Sequence, residues 1–191
     1  MNYLELIGTI VGLVYLWLEY RASFYLWFAS LIMPAIYAVV YYRAGLYADF
    51  GISIYYVLAS VYGMLYWVLG RKKVKDNDVV EIPITHTPRK QYSTLILITT
   101  LLTVVIAQIL INFTDSDVPW ADSFTTALSI VAMWMLARKY AEQWLVWILV
   151  DVVCAVLYIY KGLYFTSGLY ALYTFIAYFG YLKWIKLIKN Q

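Results

Sequence analysis

The sequence predicts an all-α polytopic membrane protein with seven transmembrane helices, arranged as three, one and three. Three observations carry that prediction: the composition, the placement of the basic residues, and a three-helix stretch that occurs twice. The chain has 191 residues, 64% of them hydrophobic and only 13% charged, with a mean hydropathy of +0.73. A soluble domain carries roughly a quarter charged residues. This chain lacks the polar surface to cover a globule in water, so the lipid bilayer is its expected surroundings and 1–191 is read as a single membrane domain.

A spanning helix needs about 20 mostly apolar residues. Seven runs approach that length: Tyr3–Leu18, Tyr25–Tyr41, Tyr47–Leu69, Tyr92–Asn112, Trp120–Ala137, Gln143–Tyr160 and Phe165–Leu187. The first carries Glu5 and ends in LWLEYR, without the basic start and small-residue end of a cleaved signal. Residues 3–69 make a first three-helix bundle and 120–187 a second. The polar stretch 70–91, opening GRKKVKDNDVVEIPITHTPRK, is expected as a solvated cytoplasmic loop, and 92–112 as a linker helix.

Cytoplasmic segments retain lysine and arginine. With the N-terminus outside and the C-terminus inside, only Arg43 and Lys161 of the 14 basic residues fall outside, and the acidic FTDSDVPW loop falls there too. The net charge of +3 follows from this topology and does not imply nucleic acid.

The chain also matches itself without a gap. When Trp27 is laid on Trp144, Trp17 falls on Trp134, Arg21 on Arg138, Tyr41 on Tyr158 and GLY 45–47 on GLY 162–164. Gly51 then meets Gly168, Tyr56 meets Tyr173, Gly63 meets Gly180 and Trp67 meets Trp184. Interfacial tryptophan and tyrosine recur wherever spans end, which accounts for some matches but not for the glycines. A duplicated odd number of spans would be inverted; the unmatched fourth helix restores the direction. Parallel repeats are a transporter architecture, with the substrate expected near the midplane between them.

One residue interrupts the apolar run EQWLVWILVDVV. Asp151 sits mid-span, where a charge costs a few kcal/mol on insertion scales. Trp144, Trp147 and Asp151 are spaced i, i+3 and i+7, on one helix face that Tyr158 continues. Indole faces beside one carboxylate suit a flat cationic aromatic ligand, by stacking, cation–π attraction and charge balance. The competing readings are a belt role for Trp144 and a structural bond for Asp151. Its repeat partner is Pro34, which frees a backbone carbonyl and marks a hinge. Asp49 either caps the third span or attracts a cation at the entrance. Glu19 is expected in an interfacial ion pair with Arg21. Tyr55, Tyr56, Tyr170 and Tyr173 lie inside their spans, and some of them should line a cavity.

Several classes are excluded. The chain has no G-x-x-x-x-G-K-S/T run, so no P-loop of its own. Its one histidine, His86, has no metal-binding context, and its one cysteine, Cys154, allows no intrachain disulfide. No nucleophile-and-base arrangement is visible, so no catalytic residue, metal or cofactor is expected.

GLYADFGISIYYVLASVYGMLYW, EQWLVWILVDVV and GLYFTSGLYALYTFIAYFGYLKW together resemble the PnuC family of bacterial vitamin transporters. The resemblance covers nearly the whole chain and places that family's W-x-x-W-x-x-x-N/D motif on Trp144, Trp147 and Asp151. It implies a SWEET-like 3+1+3 fold in the bacterial inner membrane, a homotrimer, and facilitated uptake of nicotinamide riboside with trapping by a cytoplasmic kinase. Thiamine, carried by the PnuT subfamily, is likewise a cationic aromatic; riboflavin is neutral. Two positions depart from the pattern of riboside carriers: Asp151, where asparagine is common, and Ser53, where glutamine is. A membrane scaffold, or the membrane part of an energised importer, are the readings of a different class.

Overall fold

The computed structural model describes residues 3–44, 47–70, 72–73 and 79–190; the side chains of 1–9, 33, 40, 44–49 and 71–80 lie outside the described set. Seven helices follow in order: α1 Tyr3–Tyr20, α2 Leu26–Ala44, α3 Tyr47–Leu69, α4 Arg89–Phe113, α5 Pro119–Ala137, α6 Gln143–Tyr160 and α7 Tyr164–Lys189. Five segments are long and apolar enough to cross a membrane: Leu26–Arg43, Phe50–Leu69, Arg89–Phe113, Pro119–Ala137 and Gln143–Tyr160. The protein is an all-helical, multi-pass membrane protein, apart from a two-residue antiparallel ladder of β1 (Lys72–Lys73) with β2 (Val79–Val80). α7 is apolar but carries tyrosines and Lys183, Lys186 and Lys189, which lower its mean hydropathy.

The chain divides into two compact units, 1–82 and 83–191. In the first, α2 packs against α3 and also meets α1. In the second, α6 packs against α7 and α5, and α5 also meets α4. The linker helix α4 thus belongs with α5. Its span is 6% buried against 61% for α5, so α5 is the centre of this unit and α4 its outer wall. Hydroxyls on both helices bond back to carbonyls one turn earlier, as Thr99 to Leu95 (2.8 Å) and Ser129 to Thr125 (2.8 Å). In an apolar surrounding an unpaired hydroxyl is costly, and such a bond gives it a partner within its own helix.

Helix ends follow local chemistry. Pro88 (φ −58°, ψ 133°) is the N-cap of α4, so the helix starts at Arg89, a turn before the apolar run begins. Pro119 opens α5, where its fixed φ suits a first turn. α1 ends in a Schellman turn: Ala22 is left-handed (φ 51°), its N–H bonds Glu19 O (2.8 Å), and Ser23 N–H bonds Leu18 O (2.9 Å). α5 ends the same way at the matching positions. Lys139 has φ 55°, and its N–H bonds Leu136 O (2.9 Å), while Tyr140 N–H bonds Met135 O (3.0 Å). A left-handed non-glycine is uncommon, and here one occurs at corresponding places in both units. At the end of α6 the same turn uses Gly162 (φ 74°); its counterpart Gly45 lies outside the described residues.

Packing within each unit also corresponds. The Trp27 and Trp67 rings meet edge to face at 5.5 Å and 88°, and Trp144 and Trp184 at 5.8 Å and 88°. A Cβ on Gly63 would collide with the Trp27 ring, and one on Gly180 would lie 2.8 Å from the Trp144 ring. These two glycines are glycine because an indole occupies the place of their side chain.

The stretch 70–91 is not wholly a solvated loop. Besides the β1–β2 ladder, its later part docks on the turn between α5 and α6. Thr85 N–H bonds Lys139 O and Ala141 N–H bonds Thr85 O, both at 3.0 Å.

Candidate functional site

In the second unit, α6 carries the stripe singled out above, and its members divide. Trp144 is fully buried in the α6–α7 seam against Trp184 and Gly180, so its ring serves packing. Trp147, nearly a turn further on, is half-buried. Its Nε1 is shielded from solvent and has no hydrogen-bond partner among the described residues. Asp151 is 7% exposed, and among the described residues no hydrogen-bond or ion-pair partner is seen for its carboxylate. An unpaired buried charge is costly, so the carboxyl is either protonated or met by a complementary group.

Around it stand polar groups from three helices. The Asp151 charge is felt by the Cys154 thiol on α6 and by the Tyr170 and Tyr173 hydroxyls on α7. Tyr170 is hydrogen-bonded to Tyr158. Its ring lies 5.1 Å from Tyr158 and 5.6 Å from Tyr173. Thr125 of α5 reaches Cys154. The sequence reading named Tyr170 and Tyr173 and traced the stripe to Tyr158. It missed Thr125 and, as a lining residue, Cys154, although Cys154 lies three positions from Asp151 on the same face. Towards the far end of α6, Lys161 pairs with Asp122 at 3.4 Å, and Ser116 donates to Asp122 at 2.8 Å.

In the first unit, Ser53 is buried and Tyr56 half-buried, three positions apart on α3. Tyr55 lies edge-on to Tyr56 at 5.6 Å. Glu19, expected in an interfacial ion pair with Arg21, is fully buried and accepts the Tyr15 hydroxyl, and Tyr15 in turn lies within electrostatic reach of Tyr56. Arg21 lies 4.7 Å over the Trp17 ring, as Arg138 lies 5.5 Å over Trp134. Pro34 sits inside α2, and the carbonyl it leaves without a helical partner is that of Ser30. Ser60 on α3 donates to that oxygen (3.1 Å) and lies 2.7 Å from Tyr56 O. Asp49 is in the first turn of α3, and its side chain lies outside the described residues.

The strap before α4 adds a cluster that the sequence did not suggest. Both oxygens of Glu142 are engaged: Oε1 with His86 Nδ1 (2.6 Å), and Oε2 by the Thr87 N–H (2.7 Å) and hydroxyl (2.9 Å). Burial pushes the Glu142 carboxyl up, but the bonds from His86 and Thr87 outweigh it and hold the group below its ordinary range. The clamp's contribution is therefore complete above the ordinary glutamate pKa of about 4.3 and is lost as pH falls through the lower folded value. Amide-exchange protection at Thr85 and Ala141 is expected to persist at mildly acidic pH and collapse only below that range. Collapse well above it would show that Glu142 does not hold the strap.

A family model described as nicotinamide mononucleotide transporter matches residues 2–186. A relative from Escherichia coli strain K12, named nicotinamide riboside transporter PnuC, is 27% identical over 215 aligned positions, covering 100% of this chain and 88% of its own. A Streptomyces davaonensis protein named riboflavin/roseoflavin transporter RibM is also 27% identical, covering 94% and 83%. Among solved structures, one titled as the crystal structure of the vitamin B3 transporter PnuC superposes with a TM-score of 0.71 at 22% identity, covering 96% of this chain and 81% of that one. That likeness establishes the fold.

Proposed function

This chain belongs to the nicotinamide mononucleotide transporter family, and on that premise we propose that it is a facilitator carrying nicotinamide riboside across the bacterial inner membrane. It is a transporter and not an enzyme. The observation that carries the substrate reading is Asp151, a buried carboxylate with no partner among the described residues. Nicotinamide riboside is a flat ring with a fixed positive charge, joined to a sugar. Asp151 balances the charge, the Trp147 face stacks on the ring, and the Tyr170 and Tyr173 hydroxyls supply sugar contacts. In the first unit, Ser53, Tyr56 and Asp49 remain substrate-binding candidates, and Pro34 remains the hinge, its loose carbonyl steadied by Ser60. Trp144 contributes by seating α6 on α7.

Relatives named for nicotinamide riboside and for riboflavin show that sequences this similar serve more than one vitamin. The carboxylate favours a cation over neutral riboflavin. Thiamine shares the charge and is the second reading, which competition between the two vitamins resolves.

Seven spans with the N-terminus outside, in a parallel 3+1+3 repeat, are part of the same proposal. The paired left-handed turns at Ala22 and Lys139 and the paired Trp-over-Gly contacts support the repeat. The homotrimer rests on the family resemblance. In a Cys154→Ser background, a cysteine at Ser116 is expected to label from outside, and one at Asn77 only after permeabilisation. Labelling of Asn77 in intact cells would overturn the orientation.

No nucleotide-binding motif is present in the sequence, so transport is expected to be passive, with trapping by a cytoplasmic kinase. Purified protein in liposomes should equilibrate nicotinamide riboside without ATP or an ion gradient. Accumulation above the external concentration, in liposomes lacking a kinase, would overturn the facilitator.

A further inference from the structure

The transport reading leaves the Thr85–Thr87 strap unused, although it is bonded to residues on both sides of it. Glu142 is the residue before α6, yet its side chain caps none of that helix's own N–H groups. Both its oxygens turn to the strap instead, and its side chain is 12% exposed against 57% for His86. Tyr92, in the first turn of α4, bonds Thr87. Two backbone bonds join Thr85 to Lys139 and Ala141. The strap ends at Pro88, the N-cap of α4. The cluster therefore ties the start of α4 to the start of α6.

α6 is a continuous helix from Gln143 to Tyr160, and it carries Trp147 and Asp151 in its first half. An unbroken helix transmits the position of its end, so a tie at Glu142 sets the depth and rotation of both residues. The first unit supplies a contrast. Its turn from Arg21 to Tyr25 repeats the backbone bonds of Arg138 to Glu142, as Leu26 N–H to Ser23 O (3.1 Å) repeats Gln143 N–H to Tyr140 O (3.2 Å). But Tyr25 stands in the place of Glu142, and that turn lines an open cavity of about 510 Å³ together with Glu81. Tyr25 offers no carboxylate at the place of Glu142, so the Glu142 clamp is not repeated there residue for residue.

We propose that Glu142, with Thr87 and His86, is a positioning clamp that holds α6 in the pose in which Asp151 and Trp147 meet the substrate. This rests on the reading of Asp151 as a substrate residue. The group acts through α6 and does not touch the ligand. Losing it lets α6 shift, and affinity falls because the site is no longer preorganised.

The test is a double-mutant cycle read by calorimetric affinity for nicotinamide riboside, on purified, folded protein. Glu142→Ala is expected to weaken binding about tenfold in the wild-type background and much less in Asp151→Asn, because the two act on one contact. Thr87→Val, which removes the hydroxyl's bonds to Glu142 and Tyr92 but leaves the Thr87 N–H and His86 bonds to Glu142, should show the same pattern at smaller amplitude, and it carries the test if Glu142→Ala does not fold. A purely structural residue would lower thermal stability with affinity unchanged, or cost the same in both backgrounds; either result overturns the clamp. If Asp151→Asn weakens binding but neither clamp variant does, the clamp alone fails. If Asp151→Asn leaves affinity intact, the reading of Asp151 fails and the clamp with it.

Discussion

Asp151→Asn is expected to weaken nicotinamide riboside binding by roughly 1–3 kcal/mol, about tenfold or more in affinity. The substitution keeps the size and most of the hydrogen-bonding capacity of the side chain and removes only the charge. In the folded protein this carboxyl is buried without a partner among the described residues, and on the proposed reading a bound cation offsets the cost of its charge. Trp147→Ala should cost a similar amount through lost stacking, and Trp147→Phe less, since a π-face remains. The charge is isolated by a second ligand, in which a neutral ring of the same shape replaces the cationic one. That analogue should bind worse than the vitamin in wild type but hardly worse in Asp151→Asn. Four affinities, by calorimetry or fluorescence quenching, complete the comparison. An equal loss for the analogue in both proteins would mean that Asp151 does not sense the ligand's charge and is structural.

Gly180→Ala should destabilise the second unit by about 1–3 kcal/mol, the usual range for overpacking. A Cβ there would lie 2.8 Å from three atoms of the Trp144 ring. That ring is fully buried and braced by Trp184, so it has little room to yield. Relief should come from the other side of the contact. In a Trp144→Phe background the smaller ring leaves space, and Gly180→Ala should cost markedly less. Thermal unfolding in detergent measures both. Equal losses in the two backgrounds would show that Trp144 is not what the glycine accommodates. The first unit should answer in the same way to Gly63→Ala, where the Trp27 ring occupies the corresponding place.

Much of the architecture was legible in the chain alone. Apolar run length placed all seven helices, and Tyr47–Leu69 and Gln143–Tyr160 end where the sequence predicts, because a bilayer imposes one length and forbids unpaired backbone. The self-match paired Trp27 with Trp144 and Gly63 with Gly180, but that each indole lies over its glycine came from the structure. Helical spacing put Asp151 and Tyr158 on one face of a helix, and mid-span position singled out Tyr55, Tyr56, Tyr170 and Tyr173 together without separating them.

Tertiary structure decided what spacing cannot. Trp144 and Trp147 share one stripe, yet the first is fully buried against Trp184 and the second is half-buried, although the Nε1 of both lacks a partner among the described residues. Periodicity defines a face, whereas which part of that face a neighbouring helix covers depends on how the helices cross. Glu19 read as interfacial from its place at a span end and is fully buried, with the Tyr15 hydroxyl one turn earlier on the same helix bonded to it. The bonds from His86 and Thr87 to Glu142 join residues far apart in the chain, and no local pattern in the polar loop encodes them. Local rules therefore determined the helices and the carboxyl at the centre of one of them, while non-local contacts determined which side chains of a shared face pack against a neighbour and which do not.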